Sequence, residues 1–190
     1  MDAWRRVVGI VLHPHAEWER IAAEDTTVDV LIRHFLLPLA LLAPIATFIG
    51  IKVFDASWDE DLGYLVPPQD AFAAAATTLF AILTSVFVLA GIFVLLGPLY
   101  GSSRDYRVAL KVATFGAVPM LLAGVLMFLP VLALLGLFGL SYTLYLYWLG
   151  ARAVLQVPRK SQAEFIGIAM LLLMVASSLG GAAASSIGLI

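Results

Sequence analysis

Long apolar runs alternate with short polar ones along this chain. The runs are too long for strands, and each matches the span of a bilayer rather than the core of a soluble domain. A helix needs about 20 mostly apolar residues to cross a hydrocarbon core. Residues 31–51, 71–99 and 165–187 meet that length. Residues 108–151 form a longer run in which Lys111, near its start, is the one acidic or basic side chain. At 1.5 Å per residue this run would extend roughly 66 Å, about twice the core, so it reads as two helices and a tight turn. Pro130 is the expected hinge, because proline removes a helical N–H and drives the preceding residue out of the α region. Residues 108–129 and 131–151 are then the third and fourth spans. The fold class predicted is an all-α, polytopic membrane helical bundle: about five transmembrane helices in residues 31–190, after a short amphipathic helical segment in residues 1–30.

That first segment has its own periodicity. Trp4, Val7, Val8, Val11 and Leu12 recur at helical steps, with Arg5 and Arg6 between them, which predicts a short helix lying flat in the cytoplasmic interface. His13-Pro14 breaks it, and Pro14 suits the first turn of a second helix. The second helix carries Trp18, Ile21 and Ala22 on one face and Glu17, Arg20 and Glu24 on another. Trp4, Trp18, Arg5 and Arg6 are the expected interface anchors. No apolar stretch of a signal peptide precedes the first span, which is itself expected to direct insertion.

Composition strengthens the membrane reading. Hydrophobic residues make up 62% of the chain and charged ones 13%, where a soluble domain carries about 25% charge. The placement of charge then sets an orientation, since lysine and arginine favour the cytoplasmic loops. Arg5, Arg6, Arg20 and Arg33 precede or open the first span. Arg104 and Arg107 lie between the second and third, with Lys111 at the start of the third, and Arg152, Arg159 and Lys160 lie between the fourth and fifth. With five spans and the N-terminus inside, only Lys52 of the eleven basic residues falls outside. The acidic stretch holding Asp55, Asp59, Glu60, Asp61 and Asp70 faces outward, and the C-terminus ends outside. The basic residues form no stripe, so a nucleic-acid partner is excluded. Without cysteine there is no disulfide, thiolate metal site or cysteine nucleophile.

Candidate chemistry is sparse. No Asp, Glu or Lys lies in the middle of a span, which argues against a proton-coupled pump or transporter. His13, His15 and Glu17 alternate beside the membrane and offer ligand atoms for a metal. Pro14 between them prevents a regular i, i+4 ligand pair, so an interfacial turn is the plainer reading. The acidic cluster lacks the spacing and glycine of a calcium loop and reads as solvated. Pro38, Pro44, Pro98 and Pro119 fit either a broken helix lining a substrate site or kinks whose freed backbone groups are satisfied by neighbouring helices. In the fifth span Ala176, Gly180 and Ala184, and beside them Ser177, Gly181 and Ser185, recur every four residues, a spacing that lets helices pack closely. The expected helix-packing residues are Ala176, Gly180, Gly181 and Ala184. No nucleophile elbow, phosphate loop, zinc-protease motif or dinucleotide fingerprint occurs, so neither catalytic residues nor a cofactor are expected.

Four segments together resemble a known family: "HPHAEWERI" before the first span, "LPLALLAPIATFIG" within it, "ALKVATFGAVPMLLAG" in the third and "LYLYWLGARAVLQVPRKSQA" leaving the fourth. From His13 to Ala183 the chain is similar to the bacterial branch of the Yip family, named for eukaryotic members that interact with Ypt/Rab GTPases. The resemblance implies five spans and a cytoplasmic N-terminus in a bacterial inner membrane. Eukaryotic members look like trafficking scaffolds with a long N-terminal segment; here that segment has about 30 residues, and "LGPLYGSS" only echoes their "DLYGP"-type motif, so a GTPase partner is not implied. The expected function is a non-enzymatic organiser of membrane or protein partners, with the lipid bilayer, other proteins or further copies of the chain as its contacts. The alternative is a small carrier or channel for an ion or apolar solute, built on the prolines and on Thr77, Thr78, Thr84 and Ser85.

Overall fold

The computed structural model describes residues 3–54, 71–128 and 134–186. The acidic stretch with Asp55, Asp59, Glu60, Asp61 and Asp70 and the expected hinge at Pro130 lie outside the described residues, as does the end of the chain after residue 186. Every described element is helical: α1 (Ala3–Leu12), α2 (Pro14–Ala23), α3 (Val28–Leu31), a π turn (Ile32–Leu36), α4 (Leu37–Ala40), α5 (Leu42–Phe54), α6 (Ala71–Leu96), α7 (Tyr106–Gly116), α8 (Val118–Ala123), α9 (Gly136–Ala153) and α10 (Gln162–Ser186), with short 3-10 turns at Gly97–Tyr100, Gly124–Phe128 and Arg159–Ser161.

Three stretches are long and apolar enough to cross a membrane: Val28–Lys52, Ala71–Tyr100 and Arg159–Ala182. A fourth arises if Tyr106–Gly116 and Val118–Leu126, bent by 41° at the break between them, act as one span. The all-α membrane bundle is therefore confirmed, and the number of crossings stands at three to four by length and apolarity. The expected fourth span falls on α9, whose 18 residues include three tyrosines and a tryptophan. It is shorter and more polar than a typical crossing helix of about 20 residues.

The prolines explain where the helices bend. Pro38 can donate no hydrogen bond, and its ring would crowd the carbonyl four residues earlier. The chain widens there into the π turn, with the Leu37 N–H bonded to the Ile32 carbonyl. Pro119 breaks the rod between α7 and α8 in the same way. The gap is filled from across the bundle: the Thr143 hydroxyl accepts the Met120 N–H at 3.1 Å, and the Tyr147 hydroxyl donates to the Ala113 carbonyl at 3.3 Å. The neighbouring α9 thus takes up the Met120 N–H, as proline in a membrane helix requires, and adds a second donor to the Ala113 carbonyl, which also accepts the Ala117 N–H. At the end of α6, Gly101 takes the left-handed conformation (φ 68°) that a side chain would resist. The Gly97 carbonyl there accepts the N–H groups of Gly101 and of Ser102, the latter at 2.8 Å.

α7–α8 and α9 lie side by side and antiparallel. Ala113 and Gly116 meet Tyr147, Met120 meets Thr143, and Ala123 meets Gly139. The two arms of the expected helical hairpin therefore pack together. Aromatic rings fill the centre: Phe35 lies on Phe115 (centroids 4.4 Å apart), Phe93 stacks on Phe165 (5.5 Å), and Phe93 meets Tyr147 edge-on (6.0 Å). Close backbone approach sits beside them. A Cβ on Gly116 would fall 2.3 Å from the Tyr147 ring, and one on Gly124 would fall 2.6 Å from the Ala43 Cβ.

Candidate functional site

The most elaborate polar construction among the described residues is the α1–α2 hairpin and its seat on the bundle. A single non-helical residue, His13, makes the turn. Its N–H closes on the Gly9 carbonyl at 2.8 Å, and its carbonyl starts α2 by accepting the Glu17 N–H at 3.1 Å. Pro14, with no N–H to leave unpaired, occupies the first turn of α2. The two helices run back antiparallel, and charge fastens them. Arg6 donates to Glu17 at 2.9 Å, with both side chains nearly buried, and also to Glu24. Arg20 reaches the other Glu17 oxygen at 3.3 Å. Gly9 leaves the room this needs, since a Cβ there would lie 2.8 Å from the Glu17 carboxylate. A buried ion pair offsets its desolvation only when its geometry is good and its remaining oxygens are bonded; Glu17 has both conditions met.

The hairpin is seated by contacts that step along α9. The Tyr142 hydroxyl donates to the Val11 carbonyl at 2.7 Å. His15 meets the Tyr145 ring edge-on at 6.4 Å. The Trp18 indole, 1% exposed, lies over Gly150, where a Cβ would fall 2.7 Å from the ring. Val7, Ile10 and Ile21 are buried in the same core. Past α2, the Lys111 ammonium of α7 donates to the Glu24 carbonyl. Asp105 caps α7: its carboxylate accepts the Arg107 N–H at 2.8 Å, which together with the nearby guanidinium holds its pKa below the usual carboxylate value.

The expected site residues are thus distributed in an instructive way. Of the four expected anchors, Trp4 (70% exposed) and Arg5 point outward, whereas Trp18 and Arg6 are turned into protein. The alternating His13, His15 and Glu17 serve separate partners: Glu17 its arginines, His15 a tyrosine, His13 the turn. Among the described residues no three His, Cys, Asp or Glu side chains gather as a metal site would need. On α10, Ala176 is half-buried, while Gly180 and Gly181 are exposed with no atom within 4 Å of a Cβ built on either. The side chain of Ala184 lies outside the described residues. Lys111, Tyr142, Thr143 and Gly150 escaped the sequence reading. Only Lys111 carried a signal, as the lone charge in a 44-residue apolar run.

The chain matches the Yip1 domain over residues 8–180. It belongs to the Yip1 family. The match begins in the middle of α1 and so takes in most of the hairpin as well as the bundle. The chain is also similar to "Inner membrane protein YohC" of Escherichia coli strain K12, 26% identical over 164 residues that cover 84% of this chain and 83% of that protein. The protein of the same name from E. coli O6:H1 gives the same figures. No solved structure gives a significant match. The family resemblance read from the four sequence segments is thereby established, and the chain is a Yip1-family membrane protein.

Proposed function

We propose that this protein works without catalysis, as an organiser that holds protein or lipid partners at a bacterial inner membrane. The observation that carries this reading is the ring-filled centre of the bundle, where Phe35 packs on Phe115 and Phe93 meets both Phe165 and Tyr147. These side chains are buried, and they occupy space that a central path for a solute would need. The Met120 N–H at the Pro119 break is bonded to Thr143 rather than left to line a passage. The name of the E. coli relative supports the inner membrane as location.

In this reading the chain crosses five times with its N-terminus inside. The Ser102 hydroxyl donates to the Leu155 carbonyl at 2.5 Å and so joins the loop holding Arg104, which leads into α7 and Arg107, to the segment holding Arg159 and Lys160. Lys111 ties the N-terminal segment to the same end. Gathering the basic segments at one end is what the positive-inside rule favours. The 41° bend at Pro119 favours the rival reading, a small carrier or channel.

Purified protein in liposomes separates the two. The organiser gives no potassium, proton or small-solute flux above protein-free vesicles, and a photo-crosslinker at exposed Arg5 captures one recurrent partner in the native membrane. Flux that vanishes when Thr143 is replaced by leucine would establish the carrier and end the organiser reading.

A further inference from the structure

The hairpin is set deeper than an interfacial helix. Its turn is level with Tyr142, Trp18 midway along α2 lies beside Gly150, and Glu24 just past the end of α2 lies beside Lys111. From Tyr142 to Arg152, the basic residue near the polar end of α9, the helix rises roughly 15 Å at 1.5 Å per residue. That is about half of a hydrocarbon core some 30 Å thick. The other wall of the seat gives the same depth, because α1 packs against α8, well past Lys111 toward the far end of the bundle. The outward face of α1 carries Arg5 at its shallow end and is apolar below it: Trp4, Val8 and Leu12 are exposed one turn apart, Leu12 at 65%. Neighbouring α9 is apolar on its exposed side too, at Leu137, Phe138, Leu140 and Leu144. The charged residues on the outer face of α2, Glu19 and Arg20, lie toward its polar end. His13 and His15 are the polar groups carried to the tip.

We infer that the α1–α2 hairpin is a half-membrane element whose outward stripe, Trp4, Val8 and Leu12, is covered by the acyl chains of one leaflet. The occupant is lipid because the exposed apolar surface of α9, from Leu144 near the level of the tip to Leu140, Phe138 and Leu137 beyond it, carries the same kind of surface on toward the membrane centre. Apolar surface buried in this way drives insertion. The bundle is then two helices wider in one leaflet than in the other. The inference rests on the spans lying in a bilayer and not on the organiser reading, so either can fail alone.

The chain has no cysteine, which allows single nitroxide labels without further change. Labels go at Leu12→Cys and Trp4→Cys, with Glu19→Cys as the water reference and Phe138→Cys as the lipid reference, in phosphatidylethanolamine–phosphatidylglycerol vesicles. All four positions are exposed, and each variant is required to melt as the parent does. Val8→Cys replaces Leu12→Cys if the latter does not. Collision with oxygen and with a water-soluble nickel chelate reads the depth. The expected oxygen-to-nickel ratio at position 12 is several-fold above that at 19 and close to that at 138, with position 4 lower than 12. A ratio at position 12 nearer to 19 than to 138 overturns the inference and leaves the hairpin in water.

Discussion

Two sets of glycines in this molecule share one sequence signature and have opposite surroundings. Gly116 and Gly150, on α7 and α9, are covered by aromatic rings, with Tyr147 on the first and Trp18 on the second, each too close for a methyl group. Gly180 and Gly181, on α10, have open space where a side chain would go. All four lie in apolar helices. The pair on α10 has the cleaner four-residue spacing with Ala176, and it drew the packing expectation. A small-residue stripe states how near another helix can come; it does not state that one has come. Within this chain close approach is used at the seam of α7–α8 with α9 and at the seat of α2, where aromatic rings or an alanine fill the gap, and at the contact of Gly124 with Ala43.

The largest test of that contrast is at the covered set. Gly116→Ala places a Cβ against a ring that is itself fully packed and hydrogen-bonded. We expect a loss of about 3 kcal/mol, at the upper end of overpacking effects, seen as a clear drop in melting temperature in detergent. An unchanged melt would mean that Tyr147 can swing aside and that the seam is looser than described. Next comes the hairpin clasp. Glu17→Ala leaves Arg6 without its buried partner, for which we expect a loss of about 2–3 kcal/mol, slightly below the usual range for a broken buried pair because Glu24 still faces the guanidinium. The loss should be local, with faster amide exchange in α1 and α2 and an unaltered bundle. Exchange rising equally throughout would show that the hairpin and the spans unfold as one unit. The smallest effect belongs to the open set. Gly180→Leu should change the stability of the monomer by less than about 0.5 kcal/mol, as for a surface position. A change in elution volume with that substitution would place the contact expected of this stripe between copies of the chain.

What the sequence made legible follows from the range of the forces involved. Apolar runs of bilayer length are local patterns, so the spans near residues 31–51, 71–99 and 165–187, the break at His13-Pro14 and the kinks at the prolines could be read directly. The orientation of side chains around a short amphipathic helix could not. Trp4, Val8 and Leu12 lie on one face of α1, and Val7 and Ile10 lie on another that is just as apolar. Periodicity alone finds one stripe, and a helix with two apolar faces and a buried arginine can satisfy protein on one side and lipid on the other. Arg6 looked like a headgroup contact because its partner, Glu17, is eleven residues away and is brought near only by the turn. Lys111 looked like an end-of-span charge for a similar reason: the carbonyl it bonds, at Glu24, is distant in sequence. The seat for Trp18 depends on Gly150, more than a hundred residues further on, and no local pattern links them.

Trp18 is therefore the probe that tests the account most directly, because a helix lying flat on the leaflet would put that indole among headgroups and a docked hairpin puts it inside protein. A variant with Trp4, Trp58 and Trp148 replaced by phenylalanine keeps Trp18 as the single tryptophan. In vesicles, its fluorescence should be quenched neither by iodide in the water nor by lipids brominated near the headgroup. Strong quenching by those lipids, in a variant that melts as the parent does, would contradict the docked hairpin and return the N-terminal segment to the membrane surface.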